Sequence, residues 1–215
     1  ADSTREFIVV GIAHGDNRYG EYFPEKVLSY LGGTDSLTAL RHMLSSGTRY
    51  EADEYLQFLV TELKPFIDSH YPTLTDKENT FIAGSSMGGL ISLYALCEYP
   101  DTFGGAACMS THLPMISSSS YSDTSDTSKT VFEAFIRYLG DNLPEPGSCL
   151  LYTDRGDSTM DALYPPYQDR LDSLLTTFGW SAPYWQTRVF PGASHVERDW
   201  ASRLHIPLTF LLRRD

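Results

Sequence analysis

Apolar residues along this chain fall into short continuous runs that alternate with helical stripes. Phe7-Ile8-Val9-Val10-Gly11-Ile12 is unbroken, β-branched and bounded by glycine, the pattern of a buried parallel strand. The polar, aromatic stretch from His14 to Pro24 reads as a loop at that strand's carboxyl end, where open α/β sheets hold their ligands. Residues 25–50 look irregular, with Gly32-Gly33 and Ser45-Ser46-Gly47 as breakers. Over 53–70, Tyr55, Phe58, Leu59, Leu63, Phe66 and Ile67 recur at helical spacing, with Pro65 expected to kink or end part of the helix. Thr80-Phe81-Ile82-Ala83 predicts a strand and Leu90–Leu96 a helix closing near Tyr99-Pro100. Gly104–Met109 is the next strand and Phe132–Leu139 a short helix. Cys149–Thr153 is a strand, 162–178 a helix, Trp185–Phe190 a strand and Trp200–Leu212 a final amphipathic helix. The Ser/Thr/Asp-rich stretch 117–130 reads as a solvated loop, or as a flap over a site. Alternating strands and helices imply an α/β fold, a mostly parallel sheet covered on both faces. Residues 1–215 are expected to form one such domain.

Composition narrows the classes. The chain has 215 residues, 41% apolar and 20% charged, as ordinary globular proteins do. A formal net charge of −12 argues against nucleic acid or an anionic membrane as partner, since both call for clustered Lys and Arg. No apolar run approaches the roughly 20 residues of a membrane span. The polar opening Ala1–Glu6 carries no signal-peptide pattern, so the chain is expected to be soluble and its start to be processed or cropped. Cys97, Cys108 and Cys149 lack CxxC spacing, which argues against a zinc site, and no metal is expected; they read as small buried residues.

Chemistry concentrates at Gly84-Ser85-Ser86-Met87-Gly88, between a strand and a helix. Strand, tight Gly-x-Ser-x-Gly turn and helix together form the nucleophile elbow of an α/β-hydrolase, with Ser86 at its tip. Such a turn lifts a hydroxyl clear of the sheet and aims the N–H of Met87 at the same point as an oxyanion donor. The flanking glycines are expected because side chains would crowd the turn.

A serine hydroxyl needs a base, and the base an orienting acid. In this fold they follow the serine in the order acid, then histidine. His195, in the Gly/Pro-containing loop Phe190–His195 between the last strand and the last helix, has the position of the base. His205 lies within a helix, and His42, His70 and His112 read as structural; the loop of His14 borders the pocket side. The acid falls after strand 149–153, in Asp154-Arg155-Gly156-Asp157-Ser158-Thr159-Met160-Asp161. Asp154 belongs to the strand itself, and spacing leaves Asp157 and Asp161 both open.

Several motifs in order carry a family resemblance. Ala83–Leu90 with Ser86, Glu62-Leu63-Lys64-Pro65-Phe66-Ile67, Pro100-Asp101-Thr102-Phe103-Gly104 and Phe190–Trp200 resemble the putative-esterase (esterase D-like) family. Enterochelin, feruloyl and acetylxylan esterases, S-formylglutathione hydrolase and mycolyltransferases belong to it. The resemblance implies a cofactor-free α/β-hydrolase that cleaves carboxylic esters of small molecules or carbohydrates through Ser86 and His195. Met160-Asp161-Ala162-Leu163-Tyr164 and Pro166-Tyr167-Gln168 match the family's acid loop, which favours Asp161 over Asp157. Some siderophore esterases of the family work with a Ser–His pair alone. Asn17-Arg18, Glu21-Tyr22 and Pro24 resemble a family segment, which implies substrate-binding roles for Arg18 and Tyr22; His14 joins them as a candidate from its place in the same loop.

Family members usually carry a long segment ahead of the strand at Phe7, with outer strands and the loop giving the second oxyanion N–H. The N-terminal strands are therefore expected to be missing or reduced, with Ile12-Ala13-His14 as a substitute donor loop. Two other readings share these residues: acyl transfer to a sugar or alcohol, and an inactive binding module of hydrolase fold. Product analysis with added alcohol separates the first, and fluorophosphonate labelling the second.

Overall fold

The computed structural model describes residues 4–33, 49–115 and 126–213. Among the described residues four strands form one parallel sheet in sequential order: β1 (Phe81–Ser85), β2 (Gly105–Met109), β3 (Leu150–Arg155) and β4 (Trp185–Val189). The α/β fold read from the sequence is the fold observed.

Period-two alternation sends each strand's side chains to opposite faces. On β2, Ala106 and Cys108 join the larger apolar cluster, while Ala107 and Met109 join the smaller one. The larger cluster packs beneath helix α4 (Met87–Glu98), which is apolar almost all round and buried from Leu90 to Cys97. Around it lie α1 (Arg18–Tyr22), α2 (Ala52–Phe58) and α5 (Asp126–Asn142). The other face is covered by α7 (Glu197–Arg203) and α8 (His205–Leu211), with Leu211 and Leu212 against Tyr152 and Met109. α3 (Lys64–His70) and α6 (Pro165–Thr177) complete the α-helices among the described residues.

Several expectations are corrected. Phe7–Ile12 joins no ladder, and Phe7, Ile8, Val9, Val10 and Ile12 are all exposed, Val9 by 75%. An apolar run becomes a strand only where a neighbouring backbone takes its hydrogen bonds. Sheet-edge β1 pairs with β2 alone among the described residues, and the segment's nearest backbone tie is Arg5 N–H to the Leu212 carbonyl. Residues 25–30 are not irregular but a 3₁₀ helix, Glu25–Tyr30, that buries Val27. Residues 34–48, with His42, lie outside the described residues, as do 116–125 of the expected loop or flap. Positions 126–130 belong instead to α5, which is longer than the short helix expected over 132–139. The last helix is two, broken at Leu204: Pro207 has no N–H to bond the Arg203 carbonyl.

Helix 53–70 is helical throughout but passes through a π turn, Leu59–Leu63. Pro65 explains the turn: widening the helix relieves the clash of its ring with the carbonyl four residues back.

Candidate active site

Ser86, His195 and Asp161 meet at the carboxyl edge of the parallel strands. Ser86 joins β1 to α4 with φ 58° and ψ −121°, a backbone region that L-residues rarely enter. Neighbouring loops brace this strained turn. Ser86 N–H donates to the Met109 carbonyl at 2.9 Å, and His112 N–H donates to the Ser86 carbonyl at 3.1 Å. A Cβ on Gly84 would lie 2.4 Å from the Gly88 backbone, so Gly84 is sterically required. At Gly88 a Cβ would meet nothing within 4 Å, and the crowding expected at both glycines holds only at the first.

The acid and base loops are stitched together just beyond β3 and β4. Asp157 and Ser158 N–H donate to the Ala193 carbonyl at 3.2 and 3.1 Å. His195 N–H donates to Thr159 Oγ1 at 2.9 Å. A Cβ on Gly156 would fall 2.1 Å from the Ala193 carbonyl oxygen, so only glycine permits this approach. The exposed Asp157 accepts the Gly192 N–H at 2.6 Å; it fastens the base loop and does not touch the imidazole.

Asp161 does touch it. Its Oδ1 lies 2.5 Å from His195 Nδ1, and His195 Nε2 lies 2.8 Å from Ser86 Oγ. An ionised carboxylate can only accept, so Nδ1 carries the proton and the Nε2 lone pair faces the serine hydroxyl. Burial by itself would raise the fully buried Asp161 carboxyl. Hydrogen bonds from His195, Ser110 and the Gly156 N–H instead take it below the ordinary carboxylate value. The imidazole is held edge-to-face between Tyr164 and Trp200, with ring centroids 5.5 and 4.8 Å away. Met87 opens α4, so its N–H belongs to the helix's first turn and has no partner within the helix.

Residues His14, Arg18 and Tyr22 lie together elsewhere. The His14 and Tyr22 rings meet edge to face, and the Arg18 guanidinium lies over Tyr22. His14 Nδ1 lies 2.6 Å from the Gly15 carbonyl, and the Tyr22 ring packs against Tyr55 within the larger apolar cluster. Ile12, Ala13 and His14 are exposed. Cys97, Cys108 and Cys149 are buried free thiols. Burial raises all three, Cys149 to about 11. Among the described residues no group of His, Cys, Asp and Glu is placed to hold a metal ion, and no helix is long and apolar enough to cross a membrane.

Sequence reasoning missed the residues around the acid. Ser110 follows buried β2 directly, at the edge that carries Ser86, and that position was a readable signal. Arg203 had none, since a cation in an amphipathic helix ordinarily faces water.

The sequence profile described as "Putative esterase" matches residues 5–205. The chain belongs to the putative esterase family. A carboxylesterase of Arabidopsis thaliana, SOBER1, is 39% identical over 59 residues, which are 27% of this chain and 26% of that protein. A solved ferulic acid esterase superposes with a TM-score of 0.55 at 24% identity, over 74% of this chain and 60% of that one. An IroE-like serine hydrolase from Shewanella oneidensis superposes with a TM-score of 0.60 at 17% identity, over 93% of this chain and 58% of that one. These likenesses show the α/β-hydrolase fold. The chain spans less than two thirds of the length of each of these relatives.

Proposed function

We propose that the protein is a serine esterase that cleaves a carboxylic ester through an acyl-enzyme on Ser86. The observation that carries this reading is the unbroken line from Ser86 Oγ through His195 to Asp161, with both links at hydrogen-bond distance. Ser86 Oγ attacks the ester carbonyl while its proton passes to His195 Nε2. Asp161 holds the imidazole in the required tautomer and stabilises the imidazolium. The carbonyl oxygen becomes an oxyanion that the Met87 N–H faces, with the first turn of α4 behind it. Collapse breaks the bond to the alcohol oxygen, which leaves with the proton from His195. Water, deprotonated by His195, then attacks the acyl-enzyme, and the acid departs as Ser86 regains its proton.

The substrate on this reading is a small-molecule or carbohydrate-linked ester. Family membership and a structural neighbour named as a ferulic acid esterase support that class. His14, Arg18 and Tyr22 cluster on and just ahead of α1, which packs against α4, and on this reading they contact the substrate away from the reacting carbonyl. Asp157 takes no catalytic part; it secures the loop that carries His195.

A fluorophosphonate probe and p-nitrophenyl acetate test the reading together. The protein should label at Ser86 and release p-nitrophenol, and Ser86→Ala should lose both. A folded protein that neither labels nor hydrolyses the ester would overturn it.

A further inference from the structure

Behind Asp161 lies a buried ionic pair that the ester-cleavage mechanism does not use. Asp154, the fifth residue of β3, is fully buried, and Arg203, the last residue of α7, is 3% exposed. The guanidinium spans both oxygens of Asp154, with Nη2 at 3.0 Å from Oδ1 and Nε at 3.2 Å from Oδ2. Tyr152 OH and the Ser110 N–H also donate to this carboxylate. A buried ion pair adds little net stability over apolar packing, so its presence here calls for another reason.

Arg203 Nη2 also reaches Ser110 Oγ at 2.7 Å, and Ser110 Oγ lies 2.6 Å from Asp161 Oδ2. Proton bookkeeping along this line has one solution. A guanidinium has no lone pair to offer, so Ser110 must accept from Arg203. The single hydroxyl proton is then left for Asp161. Ser110 itself sits at φ 41°, a left-handed conformation unfavourable to a serine, pinned by its N–H bonds to Asp154.

We propose that Ser110 is a positioning residue for the triad acid, and that the Asp154–Arg203 pair serves to lock the Ser110 hydroxyl in its donating direction. Ser110 and the Gly156 N–H together occupy Oδ2, which leaves Oδ1 as the oxygen that meets His195. The inference rests on the Ser86–His195–Asp161 reading and extends it one layer inward.

The chemical consequence has a sign. Without the Ser110 donor the Asp161 charge is less dispersed, and the carboxylate grips the imidazolium more tightly. Asp161, Ser86, Tyr164 and Trp200 face the imidazole directly. Asp154 and Arg203 lie behind Ser110, His112 behind Tyr164 through its hydroxyl, and Asp199 and Asp157 are held on the backbone N–H groups of Ser194 and Gly192.

The test compares Ser110→Ala with Ser110→Gly. Both remove the hydroxyl, but glycine also relieves the positive φ, so a backbone effect would separate them. Both variants should lower kcat/KM for p-nitrophenyl acetate about tenfold, the weight of one charge-assisted hydrogen bond. Both should move the acid limb of the pH profile upward. The low-field proton resonance of His195 Nδ1 should shift in both, and adding Arg203→Met to Ser110→Gly should produce no further change in the profile. A folded Ser110→Gly with the wild-type profile and resonance overturns the inference while leaving the esterase reading intact. Wild-type protein that resists the fluorophosphonate probe overturns the esterase reading, and the inference with it.

Discussion

Strand β3 and the segment Phe7–Ile12 invert the usual relation between polarity and burial. β3 carries Asp154, which is fully buried, and ends on the half-buried Arg155, whereas the uncharged Phe7–Ile12 run is exposed. The difference lies in partners. β3 is hydrogen-bonded to β2 on one side and β4 on the other, and its buried carboxylate has donors from Arg203, Tyr152 and Ser110. Phe7–Ile12 has side chains fit for a core but no ladder for its backbone. Burial follows satisfied hydrogen bonds as much as it follows apolar side chains.

The sharpest way to break this comparison is to ask whether the satisfied polar edge performs chemistry. Ser86→Ala should reduce ester hydrolysis on the order of 10⁴-fold or more while leaving the fold intact. Steady-state kinetics beside circular dichroism would check it. A loss below tenfold would mean that the buried polar groups serve only structure.

Next in size is the buried pair. Arg203→Met leaves the Asp154 charge uncompensated inside the protein and should cost about 3–5 kcal/mol, read from urea denaturation. Asp154→Asn combined with Arg203→Met removes both charges and should recover part of that loss. A cost under about 1 kcal/mol for Arg203→Met would show that water reaches Asp154 and that β3 is less sequestered than its packing indicates.

These two experiments bear on different degrees of legibility. The elbow was readable because strand, Gly84, Ser86 and helix are contiguous, and the turn's steric demand is local. His195 was readable because a base must hang from a late strand's loop. Asp157 and Asp161 were inseparable by spacing: both lie on one short loop, and only the turn Thr159–Leu163 decides which carboxylate swings inward. The four sheet strands were found because their apolar runs are short and bounded, although only β2 and β3 are buried along most of their length while β1 and β4 are half-buried or exposed. Phe7–Ile12 has the same pattern, and no property of its own residues reveals whether a neighbouring strand exists. The Arg203–Ser110–Asp161 line was hidden for a related reason: its members come from α7, the end of β2 and the acid loop, and meet only in three dimensions.

A titration sharpens the comparison by setting two kinds of carboxylate against each other. Hydrogen bonds hold Asp161 below its ordinary value, so its contribution to stability is present above the unfolded-state pKa and fades as pH falls through the folded one. Glu25 is the opposite case. Burial first, then the charges of Asp53 and Glu54, raise it to about 7 from 4.5. The folded state therefore holds a proton that the unfolded state releases, and stability should fall as pH rises from about 4.5 to 7. Glu25→Gln should remove that slope and raise the melting temperature at pH 8 but not at pH 4. Melting curves across this range check it, and an unchanged slope would mean that Glu25 is solvated and does not feel its acidic neighbours.

The smallest expected effect tests the exposed arm of the comparison. Val9 is 75% exposed, so Val9→Ser removes two methyl groups that already lie against water. Substitutions of that kind usually fall within about 0.5 kcal/mol. By contrast, shortening a packed side chain such as Leu151, which is fully buried on β3, to alanine should cost about 2–5 kcal/mol. Urea denaturation of the two variants side by side gives the contrast directly. If Val9→Ser costs as much as Leu151→Ala, then Phe7–Ile12 is packed in solution against a surface, and its strand-like sequence is being used. If it costs nothing, the run's apolar character does not contribute to the stability of this chain, and pattern without a hydrogen-bonding neighbour has no structural consequence here.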